Sequence, residues 1–293
     1  MLRSYTILRS ISDYSSINMP TLSPAPRVEH IALPDGALLE AHSEGSGMPL
    51  LLISGLGGTA GFWQPCVNAL APHHQVLRLD QRGIGKSSRG EAPCTIDQLA
   101  NDCLAVLDHF EIATALVVGH STGGCITQSL ALRHPDRVHA CVMSGAWGAP
   151  SRHRQELFTV RREMLLHSPV AYASSSVFMG YDTAWLNAHW GVLESAVRNA
   201  PITAAAQRVV MERIDALVAY DQSAALSKIK VPRLVLGARD DLIVPAFLQE
   251  ELHALLPGSD LKLFDYGGHF FPVSRTELFT TTLLEWFRKS LKH

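Results

Sequence analysis

Residues 119–123, with the sequence Gly-His-Ser-Thr-Gly, constrain the fold of this chain more than any other segment. Residues 115–118 before them form a short apolar run, as in the middle of a parallel sheet. Apolar residues then recur at helical spacing until Pro135 ends the pattern. A Gly-x-Ser-x-Gly turn between strand and helix is strained and presents its serine at the carboxyl edge of the sheet. The context predicts that Ser121 is a nucleophile, against the alternative of a chance pattern.

Strand-like apolar runs alternate with helical segments along most of the chain. They cover residues 28–33, 38–42, 49–54, 75–80, 115–120, 138–144, 233–237 and 261–264. This alternation predicts an α/β fold with a doubly wound, mostly parallel sheet of eight strands, the first two forming an antiparallel hairpin. Between residues 150 and 221 helical patterns follow one another without a strand, which predicts a helical cap. The predicted organisation is a disordered N-terminal extension (1–26), a core of two segments (27–149 and 222–293) and the cap (150–221).

The composition limits the class of function. A formal net charge of −2 and scattered basic residues argue against a nucleic-acid partner, and no apolar run reaches the length of a membrane span. Five cysteines without paired spacing indicate reduced thiols in a cytoplasmic protein. The 14 histidines show no spacing typical of metal ligands, so neither a metal nor a cofactor is expected. The expected partner is a small-molecule substrate, and formation of a homo-oligomer is left open.

A serine hydroxyl is an effective nucleophile only when a base can take its proton and an acid orients that base. The acid is expected after a late strand, where Asp240 and Asp241 both qualify. Asp241, four residues before Pro245, is favoured, and Asp240 is interpreted as a loop carboxylate. His269 follows two glycines after the last predicted strand and is the predicted base. The alternatives are aspartates that only cap their loop and a solvated histidine.

Hydrolysis through a tetrahedral intermediate also requires hydrogen-bond donors for an oxyanion. We assign this role to the backbone N–H of Thr122, at the start of the helix after Ser121, and to that of Leu56, in the glycine-rich loop 54–58. Glycine-rich loops also bind phosphates, but the nucleotide-binding motifs are absent. Asp80 and Arg82, at the end of another predicted strand, are expected to brace the oxyanion loop.

These segments together resemble the α/β-hydrolase superfamily over about residues 28–287. The likeness rests on Ser-Gly-Leu-Gly-Gly at 54–58, Asp-Gln-Arg-Gly at 80–83, the turn around Ser121, Asp241 with Pro245, and Gly268 with His269. In that superfamily an acid followed by a proline four residues later is the triad member, which favours Asp241. Within it, the chain is most similar to the aminoacrylate hydrolases of the Rut pyrimidine-degradation pathway and then to 3-oxoadipate enol-lactonases.

The residues and the resemblance predict a cofactor-independent serine hydrolase that cleaves a carboxylic ester, an enol-lactone or a related acyl bond of a small molecule. Hydrolysis of a C–C bond in a ring-cleavage product, or of an amide or carbamate, is the alternative on the same triad. A ligand receptor and a cofactorless oxygenase are alternatives from other classes. In the predicted cap, Arg161 and Arg213 are either ligands of a substrate carboxylate or solvated side chains.

Overall fold

The computed structural model describes residues 26–290, so residues 1–25 of the predicted N-terminal extension lie outside it. The eight strands are β1 (Arg27–Ala32), β2 (Leu38–Glu44), β3 (Met48–Ile53), β4 (His74–Leu79), β5 (Ala115–His120), β6 (Val138–Ser144), β7 (Arg233–Ala238) and β8 (Asp260–Phe264). They form one sheet in the order β1-β2-β4-β3-β5-β6-β7-β8. β2 pairs antiparallel with β1 and with β4, and the remaining neighbouring strands pair in parallel. The predicted fold class is therefore confirmed, including the antiparallel first hairpin.

Helices cover both faces of the sheet. The α-helices within residues 26–290 are α1 (Gln64–Leu70), α2 (Ile96–His109), α3 (Thr122–Arg133), α4 (Arg152–His167), α5 (Pro169–Gly180), α6 (Thr183–Ala188), α7 (Gly191–Arg198), α8 (Ala204–Ala219), α9 (Ala246–Leu255), α10 (Phe271–Ser274) and α11 (Thr276–Ser290). Side chains of a strand alternate between the two faces, so β3 contributes to two cores. Leu51 and Ile53 pack in the core under α2, α3 and α9, whereas Leu50 and Leu52 pack in the core under α1 and α11.

Five consecutive helices, α4 to α8, separate β6 from β7. The first and the last long helices of this segment, α4 and α8, lie where consecutive helical patterns were predicted between residues 150 and 221. Both helices add apolar side chains to the core on the α3 side of the sheet, namely Phe158, Leu165, Ile214 and Leu217. Burial of that surface holds the inserted helices against the sheet. The limits 150 and 221 for a cap domain stay a prediction.

The topology places the loops that follow β3, β5, β7 and β8 together. These strands belong to the parallel part of the sheet, so their carboxyl ends share one edge, where α/β proteins bind ligands. The glycine-rich loop, Ser121, the two aspartates and His269 follow these strands in turn. Among the helices of residues 26–290, none combines the length and apolar character needed to cross a bilayer.

Candidate active site

Ser121 occupies a strained turn between β5 and α3. Its backbone has φ +59° and ψ −123°, a left-handed conformation that non-glycine residues rarely adopt. The turn is tight enough that a Cβ added to Gly119 would overlap the carbonyl of Gly123, and one added to Gly123 would overlap the carbonyl of Ile53. Small residues are therefore required on both sides of the serine. The Ser121 side chain, although 6% exposed, lines a cavity under α4 and α5.

His269 and Asp241 form a buried pair beside that cavity. Nδ1 of His269 lies 2.8 Å from Oδ2 of Asp241. The other carboxylate oxygen accepts hydrogen bonds from the N–H groups of Ile243 and Val244, each at 2.8 Å. A carboxylate can only accept, so Nδ1 carries the proton of the neutral ring and Nε2 is left as the basic nitrogen. Within residues 26–290 no hydrogen bond joins His269 directly to Ser121, but both side chains line the same cavity.

Asp240 has a different environment from its neighbour. Its two oxygens accept hydrogen bonds from the N–H groups of Gly267 and Gly268, at 3.0 and 2.9 Å. Both glycines have positive φ, +148° and +66°, in the turn that directly precedes His269. The structure thus brings Asp241 to the histidine and Asp240 to the glycine turn before it, in the arrangement that the sequence favoured. Their roles in catalysis stay a prediction.

The predicted oxyanion donors flank the serine. Gly55 comes so close that a Cβ on it would lie 2.9 Å from Cβ of Ser121. Leu56 follows Gly55 in the loop after β3, and Thr122 is the first residue of α3, where the first N–H groups of a helix have no intrahelical acceptor. Within residues 26–290, neither the Leu56 nor the Thr122 N–H has a protein acceptor. Both donors are therefore free to bind a ligand oxygen.

Arg213 of α8 holds the oxyanion loop from the opposite side. Its Nε donates to the Leu56 carbonyl at 2.9 Å, and its Nη2 donates to the Gly55 carbonyl at 3.1 Å and to Oε1 of Gln81 at 2.6 Å. Gln81 in turn donates from Nε2 to the Ser54 carbonyl at 2.7 Å. These bonds fix the peptide planes of the loop and hence the direction of the Leu56 N–H.

The expectation that Asp80 and Arg82 brace this loop is only half right. Asp80 accepts a hydrogen bond from the N–H of Ala60, just beyond the loop, at 2.8 Å. Arg82 points elsewhere and pairs with Asp102 and Asp35, each at 2.6 Å. The residue between them, Gln81, makes the contact instead, together with Arg213. The error arises because Arg82 finds two buried or half-buried carboxylates that sequence spacing does not reveal.

The cavity beside Ser121 has a volume of about 230 Å³. Core residues that line it include Ser121, His120, His269, Phe62 and Phe270, and the inserted helices add Phe158, Arg161, Tyr172 and Ser176. Its only charged or chargeable lining groups within residues 26–290 are the two histidines, the arginine and the tyrosine, with no acidic side chain among them. In the same part of the chain, no three His, Cys, Asp or Glu side chains are grouped as a metal site.

His120 lines the cavity beside His269, and the sequence analysis did not include it among the site residues. Its ring centroid lies 4.8 Å from that of His269, and its Nδ1 lies 3.0 Å from Oγ of Ser144. Burial, with a smaller effect of the nearby His269, holds the pKa of His120 well below its ordinary value. The side chain is therefore neutral beside the base, and it stacks on Phe62 at 5.2 Å. Its position next to Ser121 in the turn was the available signal.

Arg161 and Arg213, the two arginines that the sequence analysis singled out, have separate environments. Arg161 is 6% exposed and lines the cavity. Arg213 is 1% exposed and lies outside the cavity lining, with its donors directed to the oxyanion loop. The interpretation as solvated cap side chains is therefore wrong for both. Arg213 does not have the predicted position of a carboxylate ligand, because protein oxygens already occupy its Nε and Nη2.

Helix α5, which supplies Tyr172 and Ser176, was not predicted as a separate helix. Its apolar periodicity is weak, but the residues at its start are typical of a helix N-terminus. Ser168 caps the helix by accepting from the N–H of Ala171, and Pro169 occupies the first turn. That Ser-Pro pair could have located the helix.

Residues 48–169 match the family described as the alpha/beta hydrolase fold. The chain is 34% identical to a protein of Azorhizobium caulinodans named "Putative carbamate hydrolase RutD", over 82% of this chain and 91% of that protein. An enol-lactonase structure from Burkholderia xenovorans is 26% identical with a TM-score of 0.79, covering 89% of this chain and 100% of that chain. A hydrolase structure from Pseudomonas aeruginosa is 27% identical with a TM-score of 0.80, covering 89% and 98%. With the predicted likenesses confirmed, this chain belongs to the α/β-hydrolase family.

Proposed function

We propose that this protein is a serine hydrolase that forms an acyl-enzyme on Ser121. One observation carries the proposal: the serine at the strained turn, the histidine held by Asp241 and Leu56 of the oxyanion loop line one cavity, and Thr122 directly follows the serine at the start of α3. A nucleophile, a base with an orienting acid, and oxyanion donors are the parts that acyl transfer requires.

In the proposed reaction, Nε2 of His269 takes the proton of Ser121 as its Oγ attacks the substrate carbonyl. Asp241 holds the ring in the correct tautomer and stabilises the imidazolium. The N–H groups of Leu56 and Thr122 donate to the oxyanion. When the bond to the leaving group breaks, His269 gives the proton to the leaving atom. A water, deprotonated by the same histidine, then attacks the acyl-serine, and Ser121 recovers its proton as the carboxylic acid leaves.

We propose a carboxylic ester, an enol-lactone or a related acyl bond of a small molecule as the scissile bond. An engineered cavity of about 150 Å³ in another protein holds benzene, so a cavity of about 230 Å³ holds on the order of nine non-hydrogen atoms. Apolar side chains such as Phe158 and Ile243 make up much of its wall. The similarity to an enol-lactonase supports a substrate of this size and type.

Hydrolysis of a carbamate or amide is the second candidate, and the relative named as a carbamate hydrolase favours it. The chemistry would use the same residues. It differs in the leaving group, because His269 would have to protonate an amine nitrogen rather than an oxygen. A panel of small esters, lactones and carbamates with matched acyl groups, assayed by product release, separates the two candidates.

Labelling with a fluorophosphonate tests the proposed nucleophile. The wild-type protein should be modified once, and mass spectrometry of its peptides should place the phosphonate on Ser121. Ser121→Ala should abolish labelling and hydrolysis, and His269→Ala should slow both steeply. Ser129→Ala is the matched control, since this buried serine of α3 bonds to Asp97 outside the cavity. Equal labelling of the wild-type protein and Ser121→Ala would refute the serine-hydrolase proposal.

A further inference from the structure

Arg161 is a buried cation whose bonding capacity is only partly used. Its Nη2 donates to Oγ of Ser176 at 2.8 Å, and that hydroxyl is itself bonded to the Tyr172 carbonyl. The guanidinium carbon lies 4.5 Å from the ring centroid of Tyr172 and 6.0 Å from that of Phe158. Its Nη1 is buried without a hydrogen-bond partner. The side chain is thus held in place by neutral groups, and of its five donor hydrogens only one has a protein acceptor among the described residues.

Three other buried arginines, Arg82, Arg154 and Arg213, have more hydrogen-bond acceptors than Arg161. Arg82 binds two carboxylates, those of Asp102 and Asp35. Arg154, on the same helix as Arg161, donates to two backbone carbonyls. Arg213 also has a buried Nη1 without a partner, but its other nitrogens donate to two carbonyls and a side-chain amide. Within residues 26–290, Arg161 has no acidic partner and no carbonyl acceptor. A buried charge is costly unless it is paired and hydrogen-bonded. In the free protein the charge of Arg161 therefore lacks the negative partner that would offset the cost of its burial.

The incomplete cation lines the same cavity as Ser121 and His269, where no acidic side chain of the described residues faces it. We propose that Arg161 binds a carboxylate of the substrate, so that the preferred substrates are small acyl compounds with a free carboxylate at the end remote from the scissile carbonyl. This inference rests on the proposed hydrolase function. The carboxylate would accept hydrogen bonds from the guanidinium and supply the missing negative charge. Tyr172 and Phe158 would keep water from the ion pair and strengthen it.

Two esters of equal size test the inference. Monomethyl succinate carries a carboxylate two methylenes from its ester, and methyl levulinate has a neutral acetyl group at the same place. We expect wild-type kcat/KM, followed by methanol release, to favour monomethyl succinate by about 10- to 100-fold, the range of a hydrogen bond to a charged group. Arg161→Met should bring this ratio close to one. Arg162→Met is the matched control, because the adjacent arginine is half exposed and pairs with Asp215 outside the cavity; it should keep the wild-type ratio.

Binding gives a readout that does not depend on turnover. Calorimetry with Ser121→Ala should detect monomethyl succinate, and Ser121→Ala combined with Arg161→Met should bind it at least tenfold more weakly. If Arg161→Met does not fold, Arg161→Gln, which can still bond to Ser176, replaces it. A wild-type enzyme that hydrolyses both esters equally, with a ratio unchanged in Arg161→Met, would overturn the inference and leave the proposed hydrolase intact. Binding that depends on Arg161 without any hydrolysis would overturn the proposed function instead.

Discussion

Replacing Arg213 with methionine should separate positioning of the oxyanion loop from substrate binding. The change removes three hydrogen bonds from a charged donor, to the carbonyls of Leu56 and Gly55 and to Gln81. At about 1.5–3 kcal/mol each, their gross value is roughly 5–9 kcal/mol. Removing the guanidinium also removes its desolvation cost of several kcal/mol. We therefore expect a net loss of about 3 kcal/mol in the free energy of unfolding, or a fall in Tm of about 5–10 °C.

Arg213→Met should also lower kcat. Without Arg213, the Leu56 peptide can rotate, and loss of one oxyanion donor costs roughly 10²–10³ in turnover. Gln81 still holds the Ser54 carbonyl, so we expect the lower end, about 100-fold. KM should change little, because Arg213 is not part of the cavity lining. Ester hydrolysis should be measured well below the Tm of the variant, with unfolding followed in urea.

Arg208→Met provides the control for that experiment, since Arg208 lies on the same helix and is exposed. It should leave kcat, KM and stability close to wild type. If Arg213→Met loses stability but keeps wild-type kcat, the positioning role is refuted. If KM rises while kcat is unchanged, Arg213 binds substrate, as one of the sequence interpretations held.

Asp241→Asn should lower kcat by about 10⁴-fold. Asp240→Asn should mainly lower the free energy of unfolding, by about 1–3 kcal/mol, because it weakens only the turn before His269. Steady-state kinetics and urea unfolding measure the two effects, and a large loss of kcat in Asp240→Asn with little loss in Asp241→Asn would contradict this prediction. His120 is neutral when folded and gains a proton on unfolding in acid, so stability should fall as pH drops below about 6.5, with a slope of up to about 1.4 kcal/mol per pH unit from this group. His120→Phe should flatten that fall in urea titrations across pH 5–7, and parallel curves would reject the assignment. Gly119→Ala should destabilise by about 1–3 kcal/mol in thermal unfolding, because its Cβ meets the Gly123 carbonyl, and an unchanged Tm would contradict this.

The sequence was informative about the sheet because central parallel strands are short apolar runs. β5 and β6 have the predicted bounds, and β8 begins one residue earlier than predicted. Such shifts are expected, since whether a terminal residue belongs to a strand depends on its pairing with the neighbouring strand and not on its own side chain. The site residues after these strands could be placed for the same reason: the topology brings the carboxyl ends of parallel strands to one edge.

The contacts made by the inserted helices could not be derived in the same way. Arg213 and Gln81 are 132 positions apart, and no local pattern couples them. Charged residues are mostly exposed, so an arginine in a helical segment is assigned to the surface by default. Arg161 and Arg213 break that rule because each finds polar or aromatic partners on other segments. Burial of a charged side chain is decided by tertiary partners, which a single sequence does not display.

Arg161 and Arg213, two of the buried arginines of the inserted helices, have different expected roles. Arg213 on α8 donates to the carbonyls of the loop that contains the Leu56 N–H, whereas Arg161 on α4 lines the cavity and has a single hydrogen bond, to Ser176. If both assignments hold, changes at Arg213 alter the rate for every substrate by a similar factor, since all substrates use the same oxyanion donors. Changes at Arg161 alter the ratio between charged and neutral substrates. Substitutions elsewhere in α4 and α5 could therefore shift specificity while the geometry around Ser121 stays intact.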